Sequence, residues 1–448
     1  MLSLQPSSCF RVALRPDLSS SDLALIRAAI AVLDLNGASM TTSASVQTSW
    51  DAGFRTMGYA HYDQALAMQE LRLLFEGQWR NGLLPHLVFH HRRPGPSGIP
   101  GPLVWQAERS PFAPPLPTSG IVQPPLHATA AWHLYCHATD RAAARAFLVE
   151  LFPQLIAWHH YLYRERDIDQ NGLVYIRHPW ESGQENSPLW DGAMQRICVT
   201  PDHMQRYQPA DLSYLHHRHP SESDHNKGIY LVTQARRHDY DEATIRAEAP
   251  FLVQDVLFNA LLVRANRDLA AIARLLKFDP TPFERWAEQT AIAMNEVLWC
   301  PEAGQYQSYD LVGHNPIAAT VAANFAPLYG QVPSPFQAYQ LVQQLATPAF
   351  RAAVVGTCGV PTCSREAQTF DGHQPWRGAI WLNLNWMLYQ GLTCYGYSTE
   401  ATQLRQASLI LAKQGGLYES FHPDTGKGVG TNNSAGAAAL MLNLLLDA

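Results

Sequence analysis

Tryptophan, carboxylate and proline gather in six stretches of the 448-residue chain: TTSASVQTSWDAGF (41–54), QWRNGLLPHLVFHHRRPGPSGIPGP (78–102), PPLPTSGIVQPPLHA (114–128), YIRHPWESGQENSPLWDGA (175–193), HQPWRGAIW (373–381) and GGLYESFHPDTGKGVGTNNS (415–434). Aromatic faces set beside hydrogen-bonding groups suit sugar rings, whose C–H faces are apolar and whose edges carry hydroxyls. With 12 Trp, 18 Tyr and 16 Phe in the chain most of these rings belong to the core, so the signal lies in their neighbours rather than in their number. Metal chemistry is less well supported. DIDQNG (167–172) opens like a calcium loop, but its twelfth position is His178 rather than Glu, which favours a plain Asx turn. The histidines at 216, 217, 219 and 225 lack helical pairing, and Cys358 and Cys363 have no second pair to complete a zinc site. We expect no metal and no cofactor.

The segments that must position these stretches read as helices from end to end. SDLALIRAAIAVLDL (from Ser21), YDQALAMQELRLLFEGQW, AAARAFLVELFPQLIAWHHYLYRER, QDVLFNALLVRANRDLAAIARLL, FERWAEQTAIAMNEVLW, GAIWLNLNWMLYQGL and AGAAALMLNLLLDA all repeat apolar residues at three- and four-residue steps. The fold class is therefore all-α. GLVYI (172–176) and QYQSYDLVG (305–313) are too isolated for a central sheet and read as small hairpins within loops. The stretch from 200 to 249 is the least periodic, and we expect a nonhelical lid or insertion there.

Composition narrows the partners. Hydrophobic residues make up 47% and charged residues 16%, so the chain can bury a sizeable core and is neither disordered nor a coiled coil. A net charge of −6 without a basic stripe argues against nucleic acid. No run of about 18 apolar residues occurs and the first residues lack the apolar centre of a signal peptide, so we expect a cytoplasmic protein that does not engage a membrane. Seven scattered cysteines fit reduced thiols. A homo-oligomer is compatible with all of this, and the oligomeric state stays open.

HPWESGQENSPLWD, from His178 to Asp191, resembles the signature of glycoside hydrolase family 63 and of its mannosylglycerate and glucosylglycerate hydrolases, whose usual wording is close to WESGMDNSPRWD. SWDAGF (49–54), QWRNGLLPH (78–86), TSGIVQPP (118–125), PWRGAIW (375–381) and YESFHPDTG (418–426) resemble its other blocks in the same order. The resemblance implies a single (α/α)6 barrel over 1–448, with long active-site loops, that hydrolyses an α-glycosidic bond with inversion. It places the general acid on Glu185 and the general base on Glu419. At 185 this chain departs from the pattern, with Glu for the usual Asp and Gln184 for Met, and the added methylene would shift the carboxyl by about 1.5 Å.

Such a reaction needs a protonated carboxyl at the leaving oxygen and an ionised one on the opposite face, roughly 6.5–9.5 Å away so that a water fits between. The expected substrate-binding set is Trp50 and Asp51, Arg80 and Asn81, Gln123, Trp180, Glu181, Gly183 and Asp191, then Trp376, Arg377, Gly378 and Trp381. Asp51 would accept from sugar hydroxyls. The arginines would donate to hydroxyls or to a carboxylate on the aglycone, and Gln123 matches a position that in the family helps hold the small acid part of the substrate. TNNS (431–434) stands where the family has a glutamine pair, and a tyrosine that there reaches the glycerate is lacking. The rival readings are a noncatalytic sugar-binding relative and a glycoside phosphorylase or sugar epimerase on the same barrel.

Overall fold

The computed structural model describes residues 18–41, 46–90, 100–199, 222–353 and 359–447. In chain order its helices are α1 (Ser20–Thr41), α2 (Ser49–Tyr59), α3 (Gln64–Phe75), α4 (Pro102–Trp105), α5 (His127–His137), α6 (Arg141–Glu165), α7 (Asp191–Gln195), α8 (Glu222–Arg237), α9 (Glu242–Glu248), α10 (Val256–Leu276), α11 (Thr281–Ala293), α12 (Pro327–Gly330), α13 (Pro335–Leu345), α14 (Leu382–Cys394), α15 (Ser398–Gly415) and α16 (Ala435–Leu446). Their starts are written in the sequence. Asp63, Asp140, Asp255 and Ser434 accept from the backbone N–H three residues on, and Ser334 with Gln337 forms a capping box.

Six helices close a ring: α2 packs on α5, α5 on α10, α10 on α12, α12 on α14, α14 on α16, and α16 back on α2. These inner helices are buried on nearly every face. In α16, Ala435 and the run from Ala437 to Leu445 are all buried, and α14 is covered from Leu382 to Leu388. The outer helices alternate with them along the chain: α1 packs on α16, α3 on α2, α6 on α5, α11 on α10 and α15 on α14, while α13 packs on the Gln305–Tyr306 and Pro348–Phe350 segments. The architecture is an (α/α)6 toroid. Gly58 in α2 sits where the ring closes, because a Cβ there would come within 2.6 Å of the Ala439 Cβ on α16.

Four small sheets lie in the connections. β1 (Val46–Thr48) pairs with β2 (Leu87–Phe89), β3 (Val253–Gln254) joins β6 (Tyr309–Asp310) and β7 (Asn315–Pro316), and β4 (Trp299–Cys300) pairs with β5 (Gln305–Tyr306). The fourth orders β8 (Ile380–Trp381), β9 (Ser420–Phe421) and β10 (Gly428–Val429) as β10-β9-β8, all antiparallel, and it brings the 373–381 and 415–434 stretches side by side. GLVYI contributes only a bridge from Ile176 to Val253.

One expectation needs correction. Of the 200–249 stretch, residues 200–221 lie outside the described residues, but most of the remainder is helical, as α8 and α9. The apolar periodicity of this segment is sparse: α8 buries Ile229, Leu231, Val232 and Ala235 in a band interrupted by polar residues. The described cysteines, at 136, 198, 300, 363 and 394, are free thiols, and Cys9 and Cys358 lie outside the described residues. Among the described residues no helix is long and apolar enough to cross a membrane. Gly58→Ala should overpack the α2–α16 contact and cost about 1–3 kcal/mol; chemical denaturation would measure it.

Candidate active site

A cavity of about 190 Å³ opens at the N-terminal ends of the inner helices. Thr48, Trp50 and Asp51 reach it from the start of α2, Ser434, Ala435 and Gly436 from the start of α16, Trp381 from just before α14, and Gln123 from the loop leading to α5. The positive ends of helix dipoles therefore face one space, which favours anions and hydroxyl oxygens there. Gly183, Glu185 and Glu419 line the same cavity. The two carboxyl groups expected to do acid–base work thus share one pocket, although they lie on connections far apart in the chain.

Glu185 owes its place to a rigid loop. The Ser182 hydroxyl donates to the Pro179 carbonyl (2.6 Å) and accepts from the Gln184 N–H (2.9 Å), and the Trp190 indole donates to the Gln184 carbonyl (2.7 Å). Gly183 turns the chain at φ +70°, a left-handed conformation that glycine adopts without the Cβ penalty. The adjacent residues of PWRG then grip the loop from outside. Trp376 Nε1 donates to Glu185 Oε2 (3.0 Å), and Arg377 donates through Nε to Asn186 Oδ1 (2.9 Å) and through Nη1 to Asp191 Oδ2 (3.0 Å). A second bond, from Nη2 to Asp191 Oδ1, makes that pair bidentate.

Glu419 is set by the three-stranded sheet. Its N–H donates to the Thr431 carbonyl (3.1 Å), its carbonyl accepts from the Leu382 N–H (3.4 Å), and Ser420 pairs with Trp381 across the strands. Gly430, at φ +79°, leaves room for the carboxylate, since a Cβ there would fall on the Glu419 side chain. Trp381 and Trp376 stack with ring centroids 3.3 Å apart, so a continuous path runs from Glu185 through two indoles into the strand beside Glu419.

Other expected residues divide sharply. Asp51 lines the cavity with one carboxylate oxygen accepting from Thr48 Oγ1 (2.6 Å), and Gln123 lines it with its oxygen accepting from the Trp50 N–H (2.8 Å), so the amide N–H₂ is what Gln123 can offer a ligand. Arg80, Asn81, Glu181 and Gly378 do not line it, whereas Trp180, Asp191 and Arg377 line an adjoining small recess that also includes Glu185. Arg80 is exposed and donates to the Pro111 carbonyl, while the Asn81 side chain closes a turn onto the Leu83 N–H. Trp180 belongs to a satellite core cluster with Trp105 and Ile121, and Gly378 is pressed against the Asp371 backbone. Asp191 and Arg377 hold each other. Trp376 lies beneath the cavity, behind Trp381.

Glu181 is fully buried and completely satisfied: Arg166 meets both its oxygens (3.0 and 3.1 Å), and the N–H groups of Val122 and Arg177 donate to them. Arg166 and Arg177 also pair with Glu242 of α9. Burial alone would raise the Glu181 pKa, but the charges of Arg166 and Arg177 with these hydrogen bonds outweigh it and bring it from the ordinary 4.5 to about 2. The carboxylate anchors the loop that carries Glu185 to α6 and, through the two arginines, to α9, and every one of its oxygens is already bonded.

Sequence reasoning missed Arg55, Asn36 and His86, which also line the cavity. Arg55 was findable, because it stands one helical turn after Asp51 on α2. It is the one Arg or Lys among the described lining residues, and although burial opposes its charge, Glu70 (Oε1 at 2.6 Å) and Asp51 hold its pKa above the usual arginine value. In DIDQNG, Asp167 accepts from the N–H groups of Asn171 and Gly172, the plain turn the sequence favours.

Three carboxyl groups, those of Asp51, Glu185 and Glu419, thus share the central cavity of the toroid with Trp381 and helix N-termini, an arrangement suited to hydrolysis of a glycosidic bond. Residues 44–435 match the model of the mannosylglycerate hydrolase MGH1-like glycoside hydrolase domain. The chain belongs to that family. It is 44% identical over 405 residues to the mannosylglycerate hydrolase of Rubrobacter radiotolerans (90% of this chain, 91% of the relative) and 32% identical to the glucosylglycerate hydrolase of Mycolicibacterium hassiacum (91% and 94%). It is also similar to the family 63 mannosylglycerate hydrolase of Thermus thermophilus solved with Tris and D-glycerate, with a TM-score of 0.84 and 36% identity over 93% of this chain and 99% of that one. The protein is a glycoside hydrolase acting on a small glycoside.

Two outcomes test this geometry. Trp376→Phe, which keeps the stacking and removes the indole donor, should lower kcat by at least about tenfold, equivalent to about 1.4 kcal/mol of barrier, with little change in Tm. For Glu181 the folded pKa is depressed, so its contribution to stability is present above about pH 4.5 and lost as the pH falls toward about 2. Glu181→Gln should therefore cost about 3–5 kcal/mol at neutral pH and flatten the acid limb of stability in that window, as read by urea denaturation across pH.

Proposed function

We propose that the chain hydrolyses the α-glycosidic bond of mannosylglycerate or glucosylglycerate with inversion at the anomeric carbon, Glu185 serving as general acid and Glu419 as general base. The observation that carries the reading is that both carboxyl groups line one cavity, with Trp381 as an aromatic wall and Asp51 as an acceptor for sugar hydroxyls. Glu419 takes a proton from a water as its oxygen bonds to the anomeric carbon. The C–O bond to the aglycone breaks with its electron pair going to the leaving oxygen, which takes the proton of Glu185. The products are the free sugar in its β form and glycerate.

Substrate size and charge support the small acidic aglycone. A cavity of about 190 Å³ favours a small glycoside. Arg55, the Gln123 amide and the N-termini of α2 and α16 supply donors for a carboxylate. The relatives in Rubrobacter radiotolerans and Mycolicibacterium hassiacum act, by their names, on mannosylglycerate and glucosylglycerate, and the Thermus thermophilus enzyme was solved with D-glycerate. In the same reading the chain is one catalytic domain, and α8 covers the acid: Asp224 and Gly228 line a small recess whose other wall includes Glu185 and Asn186.

Glu419→Gln should reduce turnover of both glycosides by at least about 10³-fold, with the circular dichroism spectrum unchanged, and NMR of the wild-type reaction should show the β anomer first. Full activity in that variant, or initial release of the α anomer, would overturn the assignment.

A further inference from the structure

The inner helices that open the cavity with their N-termini carry a second cluster at their C-terminal ends. His61 follows α2 in the turn after it, His133 and His137 stand one turn apart on α5, and Asp447 caps α16. Asp447 Oδ1 lies 2.9 Å from His137 Nε2 and 3.3 Å from His61 Nε2, and the ligand atoms of these three residues all fall within 4.8 Å of one another. The His133 ring stacks on that of His137 at 4.0 Å, and its Nε2 is buried without a hydrogen-bond partner.

The hydrogen bonds leave this cluster one positive charge short. His137 Nδ1 is 2.9 Å from the His133 carbonyl oxygen, which can only accept, so Nδ1 carries the hydrogen. In the neutral ring Nε2 then presents a lone pair, and it points at a carboxylate oxygen. Two lone pairs facing across 2.9 Å repel unless a cation, a proton or a metal ion, sits between them. His61 Nε2, also buried and without a hydrogen-bond partner, converges on the same oxygen. The bond from His137 Nδ1 to a backbone carbonyl is the kind that orients a metal-binding imidazole.

The surroundings favour a cation. Three helix C-termini direct their negative ends here. The nearest cations are already committed: Arg264 pairs with Asp268 (2.9 Å) and lies over the Tyr329 ring, and Arg141 donates to the carbonyls of Tyr135 and Cys136. We propose that His61, His137 and Asp447, with His133 or a water as fourth donor, bind one divalent transition-metal ion of the zinc class, which staples the last inner helix to α2 and α5. Imidazole nitrogens with one carboxylate suit Zn(II), whereas calcium and magnesium require an oxygen shell. Bonds of about 2.0–2.2 Å in a tetrahedron put ligand atoms about 3.3–3.6 Å apart, so the 3.3 Å separation already fits and the 2.9 Å one needs a few tenths of an ångström. The i, i+4 histidines of HLYCH were the sequence signal for half of this site.

The test is titration of the chelator-stripped full chain with Zn(II) by calorimetry, alongside thermal unfolding with Zn(II) and with Mg(II). One equivalent should bind per chain and raise Tm where Mg(II) does not, and Co(II) should give the visible spectrum of a four-coordinate nitrogen and oxygen site. Asp447→Asn, near the chain end, and His61→Gln should each weaken Zn(II) by at least about tenfold. Absence of stoichiometric uptake by the wild-type chain overturns the proposal and leaves a proton as the bridging cation. Equal uptake by both variants overturns it too, because the ion would then be held elsewhere.

Discussion

The indole N–H of Trp376 reaching the Glu185 carboxyl is the contact on which the geometry of this site turns. It joins two connections that have no covalent reason to meet, one leaving α6 and one leading into α14. Because Trp376 stacks on Trp381, and Trp381 is paired in a strand next to Ser420, fixing one carboxyl group also fixes the wall and the strand that carries the other. The adjacent Arg377 adds direction. Its fork onto Asn186 and Asp191 sets how the loop lies against PWRG, a geometric rather than an energetic contribution for a pair partly open to solvent.

The toroid supplies what this path needs at both ends. Closing six helices into a ring aligns their N-termini on one opening, which concentrates donors and positive dipole ends where sugar hydroxyls and an acidic aglycone would bind. The same alignment gathers the C-termini on the other side, where histidines and an aspartate meet. Close packing at Gly58 and Ala439 keeps α2 and α16 in register, so Trp50 and Asp51 face the residues that open α16 across a narrow space.

Beneath the acid loop lies a buried charge network: Arg166 and Arg177 against Glu181 and Glu242, with Tyr175 donating to Glu242. Its desolvation cost is offset only because each charge is met at short range, so removing one partner strands the rest. Here the resemblance of motifs was least informative about role. WESG reads equally well as a sugar-contacting or an anchoring sequence, and nothing local tells Glu181 from Glu185. One points inward to Arg166 at the end of α6, the other into the cavity. Asp191 and Arg377 are equally ambiguous in sequence: each is a plausible sugar ligand alone, and in the fold they also hold each other where the two loops meet.

By itself the sequence determined the helices, because apolar periodicity and capping residues act within a few turns, and through its motifs it determined the family. The helical character of 222–248 escaped it, because that segment is stabilised by contacts with α4 and the acid loop rather than by its own periodicity. Only the tertiary structure decided which polar side chains face the cavity and which are consumed in holding it. The reason is that hydrogen-bond satisfaction is settled between partners far apart in the chain: Arg177 with Glu242, Arg377 with Asp191, Trp376 with Glu185. No local pattern encodes those meetings, which depend on the closure of the ring.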